Sequence, residues 1–546
     1  MLSITQPAFS ADDSSTATAA QSSSDVEKLK AQLAQQQMQL EQLKNALEAQ
    51  KKLIDALAKG ATVVNAAAPA KKPASLGDVA SLTPMVPAAA PSPDLNTLPA
   101  IPSSSAQGAD LDAPSPLSLK IGNSYLTPVG FMDFTAVGRT TIGGNGIGSN
   151  FGNIPYNNNA AGNGGLSELR LSAQNSRIGA RFDSVYKGTK ILGYWESDFL
   201  GNNAASVAVT SNADTFRLRL YWIDLMKDHW ELLAGQSWSL MTPGRTGISP
   251  LPGNIFYSQD TDVNYQAGLT WTRQPGIRIA YHADKAWTIA FAAENAEQYV
   301  GGGGGSGAIV SPTGIASTVF TQFNNNGTTL ATPNVTPDFI AKVAFDPNSK
   351  FHAEVVGLNS NFKSFNPATG MHYTKTGGGV SVNMNAEVFK GFRFIASSFY
   401  SDGGGRYIFG EAPDLVLKPN GDMGLIHASS GIAGFESTIG KTMIYGYYGG
   451  IYIGRYAVID TTGKPVGYGY TGSSNSQNKA IQEPTLGFNQ TFWKDPKYGA
   501  INFMGQFSYL TRDPWSVALN QPKNAHQFQV YLNLRYTLPG SAPAIK

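Results

Sequence analysis

HQFQVYLNLRYTLP, from His526 to Pro539, sets Phe528, Val530, Leu532, Leu534, Tyr536 and Leu538 on one side of an extended chain. Gln527, Gln529, Tyr531, Asn533, Arg535 and Thr537 fall on the other. Successive side chains of a strand point to opposite faces, so one face here is apolar and the other wet. Two settings suit such a strand: an antiparallel sheet with one face in a soluble core, or a barrel wall with lipid outside and water inside.

Working outward from this strand, residues 117 to 540 break into stretches of alternating residues joined by two kinds of connection that take turns. Short ones run through 184–189, 225–230, 282–286, 345–350, 388–392, 438–442 and 493–499. Long ones, rich in Gly, Asn and Ser, cover 140–166, 201–213, 239–274, 296–336, 363–378, 401–430, 457–480 and 511–525. Seven short turns interleaved with eight long loops make sixteen strands. Short turns at one end and long loops at the other are the pattern of an outer-membrane barrel, and a soluble sandwich has no reason to sort its loops by length.

Energetics fix the facing. Turned the other way, the last strand would put Arg535 in lipid at a cost of about 2–4 kcal/mol near the midplane. In SRIGARFD the same rule sends Ile178, Ala180 and Phe182 outward and Arg177, Arg181 and Asp183 inward. In FRLRLYW it sends Phe216, Leu218, Leu220 and Trp222 out against Arg217, Arg219 and Tyr221. Trp195, Trp222, Trp287 and Trp493 lie near strand ends, where an interfacial girdle is expected.

Composition agrees. Lys plus Arg is 40 and Asp plus Glu 38, a balance of +2 that gives no reason to expect a nucleic-acid partner. Charged residues are only 14% against roughly 25% in soluble proteins. Without cysteine, disulfides and thiolate metal sites are excluded. No apolar run approaches the length of a membrane-spanning helix, which leaves spanning strands open.

Upstream of the barrel the pattern changes. Residues 1–10, ending in Ala8-Phe9-Ser10, read as the tail of a signal peptide. Within 24–59, Val26, Leu33, Leu40, Leu47 and Ile54 share one heptad position, and Leu29, Gln36, Leu43, Gln50 and Leu57 the other, the seam of a coiled coil. Residues 60–116, rich in Ala, Pro and Ser, form an extended linker, and 541–546 a C-terminal tail.

The expected fold is therefore all-β: a sixteen-stranded antiparallel transmembrane barrel behind an α-helical coiled coil and a disordered tether. The chain resembles the DcaP-like trimeric porins of Gram-negative outer membranes. TPVGFMDFTAVGR (127–139), SRIGARF (176–182), ILGYWESDF (191–199), LLAGQSWSLMTP (232–243), SDGGGRYIFG (401–410) and the closing LNLRYTLP carry the resemblance. The chain departs from outer-membrane proteins generally in ending on GSAPAIK rather than an aromatic residue. The resemblance implies a homotrimer in outer-membrane lipid, a coiled coil in the periplasm, and small organic anions such as dicarboxylates as preferred solutes. It also implies that the third long loop folds inward and narrows the pore.

Chemistry for catalysis is sparse. The six histidines, His229, His282, His352, His372, His427 and His526, make no HxxxH pair, and no GxSxG elbow occurs. GYGYTG (467–472) fits GxGxxG, but no strand-to-helix context follows. No enzyme, cofactor or metal is expected. Alternation instead directs Arg177, Arg181, Arg217, Arg219, Arg278 and Arg535, with Glu196 and Asp198, into the lumen as pore-lining residues. The loop at 239–274 offers Arg245, Asp260, Asp262 and Arg273 as constriction charges, stiffened by Pro243, Pro250 and Pro252. The reading is a passive diffusion channel for small hydrophilic solutes. Rival readings are a tether between outer membrane and cell wall with an incidental pore, a barrel enzyme, and a trimeric adhesin. The large barrel speaks against the last.

Overall fold

The structure, a computed structural model, describes residues 115–156, 164–201, 215–250, 265–303, 305–315, 317–325 and 336–539. The signal remnant at 1–10, the coiled coil at 24–59, nearly all of the linker at 60–116 and the tail at 541–546 lie outside these residues, as do Asp260 and Asp262.

Sixteen antiparallel strands close into a barrel, as the loop pattern indicated. They are β1 (Ser124–Arg139), β2 (Arg177–Tyr186), β3 (Thr189–Asp198), β4 (Arg217–Lys227), β5 (Trp230–Trp238), β6 (Arg273–His282), β7 (Trp287–Glu294) and β8 (Asp338–Asn348). Then follow β9 (Phe351–Asn366), β10 (Met371–Phe389), β11 (Phe392–Asp402), β12 (His427–Ile439), β13 (Thr442–Ile453), β14 (Asn478–Asp495), β15 (Gly499–Pro514) and β16 (Ala525–Thr537). Each pairs with the next, and β1 pairs with β16 from Phe131↔Thr537 to Arg139↔Gln529, so the barrel has no open edge. A short segment, Glu168–Ser172, extends the wall beside β1 above β2.

The two faces follow from alternation. On β16, Phe528, Val530, Leu532 and Leu534 are exposed on the outside, while Gln527, Gln529, Tyr531, Asn533 and Arg535 are buried within. Short turns gather at one end. Lys187 and Gly188 join β2 to β3 with φ of 48° and 78°, the left-handed pair that a two-residue type I′ hairpin needs.

Two sequence expectations fail. Residues 363–378 are not a loop: β9 and β10 remain paired out to Asn366↔Met371, so only the four residues between them turn. Beyond the apolar belt the outer face has no need of apolar residues, and Lys363, Thr374 and Thr376 conceal a strand. In β4 strict alternation also breaks. Glu196 pairs with Leu220 and Ser197 with Leu218, leaving Arg219 as the extra residue of a β-bulge. Beyond it the faces exchange: Leu220 and Trp222 are buried inside, and Tyr221 and Ile223 are exposed outside. Trp222 thus leaves the girdle and stacks on Tyr194, ring centroids 5.4 Å apart.

Long connections fold against the inner wall. Ala267 N–H donates to Glu483 Oε2 at 2.9 Å, and Gln266 Nε2 to the Glu483 carbonyl at 2.9 Å. Gly449 of β13 meets this segment so closely that a Cβ there would collide with the Ala267 carbonyl. Trp271 N–H reaches the Tyr407 carbonyl at 2.8 Å, which joins the third loop to the loop after β11.

Candidate functional site

One sector of the inner wall is a ladder of opposite charges on β2, β3 and β4. Alternation aims Arg177, Glu196, Asp198 and Arg217 inward, and the bulge adds Arg219. Arg177 Nη1 lies 3.2 Å from Glu196 Oε1, which Arg219 Nε approaches at 3.0 Å. Arg219 Nη1 donates to Asp198 Oδ2 at 2.7 Å. Arg217 takes the same carboxylate in a fork, Nε to Oδ1 at 2.9 Å and Nη2 to Oδ2 at 2.6 Å. Tyr194 Oη donates to Glu196 Oε2 at 2.9 Å. Three guanidinium groups therefore share two carboxylates. Arg273 stands close by as the first residue of β6, its guanidinium 5.5 Å from the Trp238 ring centroid, with Arg219 5.8 Å from the same ring.

The other inward arginines expected from sequence each meet an acid. Arg181 Nη2 holds Asp183 at 2.7 Å, Arg278 Nη2 holds Glu231 at 2.6 Å, and Arg535 Nε holds Asp133 at 2.7 Å. Setting the inward arginines against Glu196 and Asp198 alone thus overstates the positive excess, because Asp133, Asp183 and Glu231 belong to the same wall. Within low-dielectric surroundings such pairs persist because removing one partner strands a buried charge.

The third loop is tied down by acids on β8, β9 and β12. Gly244 N–H donates to Glu354 Oε1 at 3.1 Å and Gly247 N–H to Asp346 Oδ2 at 3.0 Å. Lys342 Nζ donates to the Thr242 carbonyl at 2.7 Å and to Glu354 at 3.1 Å. Arg245 grips Glu436 with Nη1 at 3.0 Å and Nη2 at 2.5 Å, and Asn385 Nδ2 reaches the Arg245 carbonyl at 3.1 Å. Of the loop charges expected from sequence, Arg245 thus sits at an anchor, while Arg273 belongs to β6 rather than to the loop. Sequence reading missed the anchors Lys342, Asp346, Glu354 and Glu436. Their inward parity on β8, β9 and β12 was a usable signal, but their partner 99 to 191 residues away was not.

His352 bridges two of these acids, Nδ1 to Asp346 at 2.8 Å and Nε2 to Glu354 at 3.3 Å. His282 Nε2 lies 3.0 Å from Glu231. Among the described residues there is no cluster of three or more His, Cys, Asp or Glu side chains arranged to hold a metal. In SDGGGRYIFG, Arg406 pairs with Asp338, and Tyr407 Oη donates to the same carboxylate at 2.7 Å, so this motif secures a loop.

No protein-family model matches the chain, and no curated protein matches it in sequence. Solved structures do resemble it. The outer-membrane channel DcaP of Acinetobacter baumannii has a TM-score of 0.54 at 17% identity, over 77% of this chain and 98% of that one. The anion-selective porin from Comamonas acidovorans follows with a TM-score of 0.44 at 12% identity, over 76% and 99%. OmpT of Vibrio cholerae gives 0.42 at 8%, over 77% and 99%. Sixteen closed strands, loops of unequal length at the two ends and an inward third loop give this chain a DcaP-like porin barrel, the fold of the DcaP outer-membrane channel.

Proposed function

We propose that the chain is an outer-membrane porin, a passive diffusion channel for small hydrophilic solutes with a mild preference for small organic anions. The observation that carries this reading is the ladder of Arg177, Arg217 and Arg219 around Glu196 and Asp198, with Arg273 beside it. Guanidinium groups stay charged at any physiological pH and present planar forks that suit carboxylates. The excess is small, since Arg181, Arg278 and Arg535 each meet an acid, and so the preference is mild. The anchored third loop supplies the constriction, where fixed charges and diameter set selectivity. Trimeric assembly, with the 24–59 heptads joined as a periplasmic coiled coil, belongs to the same proposal.

A reversal potential under a potassium chloride gradient tests it. The wild type is expected to favour chloride, and Arg217→Ala with Arg219→Ala to abolish or invert that preference. Cation preference in the wild type, or no change in the double variant, would reduce the ladder to wall reinforcement.

A further inference from the structure

Outside the ladder, the long-loop end holds a buried carboxylate approached by one backbone N–H, that of Gly152, and, among the described residues, by no side-chain donor. Glu411, in the loop between β11 and β12, is fully buried, and no side chain hydrogen-bonds to either of its oxygens. Asn150, in the loop after β1, is also buried, and its Oδ1 is likewise without a partner. Both converge on Gly305 of the loop between β7 and β8. A Cβ added there would stand 2.8 Å from Glu411 Oε1 and would collide with Glu411 Oε2 and Asn150 Oδ1. A Cβ on Gly152 would stand 2.5 Å from Glu411 Oε2 and collide with the Gly305 carbonyl oxygen. Gly305 holds φ of +107°, a conformation that suits glycine alone. Three loops therefore bring four oxygens to one spot, with the Gly152 N–H as the one donor beside them among the described residues.

Groups nearby are occupied elsewhere. Arg512 donates Nε to the Ile154 carbonyl at 2.7 Å and Nη1 to the Asn475 carbonyl at 2.8 Å and Asn478 Oδ1 at 3.1 Å. Tyr299 Oη donates to the Gly303 and Gly410 carbonyls, and Tyr468 Oη to the Asn478 carbonyl at 3.0 Å. Burying a carboxylate beside the Asn150 and Gly305 oxygens is expensive when one backbone N–H is the donor in reach, and a positive species at the centre offsets that cost. A single proton on Glu411 would satisfy one oxygen of the carboxyl and one acceptor opposite. A cation at the centre satisfies all the oxygens at once.

We propose that Glu411, Asn150 Oδ1 and the Gly305 carbonyl bind a hard divalent cation, calcium, which pins the three long loops together. Oxygen-only donors on irregular backbone suit calcium, which accepts variable geometry, better than magnesium, which demands an octahedron, or transition metals, which prefer nitrogen and sulfur. This inference does not rest on the proposed transport function.

The test uses the full chain in detergent, stripped with EGTA and dialysed against calcium chloride. One calcium per chain is expected, together with slower protease cleavage within 403–426. Glu411→Gln should lower calcium affinity by at least about 10-fold. Asn150→Asp adds a charge and should raise affinity, a gain that misfolding cannot imitate. If the wild type binds no calcium, Glu411 carries a proton and the proposal falls. It falls too if Glu411→Gln binds as well as the wild type. If Asn150→Asp lowers stability with or without calcium, the Asn150 amide faces the carboxylate with its nitrogen, and a hydrogen bond replaces the cation.

Discussion

Glu196 is the residue on which the charged wall turns. Buried on β3, it lies against Arg177 and Arg219 and accepts the Tyr194 hydroxyl. Glu196→Gln would leave the three guanidinium groups of the ladder with one acid, Asp198, and breaking a buried pair costs about 3–5 kcal/mol. Arg170, half exposed beside Glu168, makes a contrasting pair at 2.7 Å. Arg170→Ala is expected to cost less than about 1 kcal/mol, since solvent screens such contacts. Urea unfolding of the refolded barrel in lipid vesicles measures both, and equal effects would mean that the ladder carries no special weight. Residue identity alone showed that arginines line the lumen. It did not show that Arg278 meets Glu231 or that Arg245 meets Glu436, because those partners are set by which strands become neighbours.

At the scale of elements, alternation is a strong guide while it lasts. It orders β16 correctly over its whole length, since a one-residue slip would place Arg535, Asn533 and two glutamines in lipid. β4 defeats it because Leu220, Trp222, Tyr221 and Ile223 are all apolar or aromatic, so either facing reads acceptably in sequence. Only pairing with β3 reveals the bulge at Arg219. β9 and β10 defeat it differently, by continuing past the apolar belt where the lipid pattern no longer applies. The bulge has a spectroscopic consequence. Brominated lipid should quench Trp287, which is exposed outside, but not Trp222. Trp222→Phe is therefore expected to leave quenching efficiency of the remaining emission undiminished, whereas Trp287→Phe should lower it. Loss of quenching on replacing Trp222 would restore strict alternation and remove the bulge.

For the molecule as a whole, the segregation of short turns from long loops was the feature most legible in sequence, because it follows from threading an even number of strands through one bilayer. The inward course of the third loop was expected from resemblance, while its anchorage to Lys342, Asp346, Glu354 and Glu436 emerges only once β8, β9 and β12 are in place. Together the closed wall, the charged ladder and the tethered constriction make passive conduction the central claim. Single-channel recording of the full chain in planar bilayers tests it most directly. Stable, ohmic openings that arrive in groups of three, with current carried mainly by chloride, are the expected result. Bilayers that stay silent after verified insertion of the folded barrel would contradict the account.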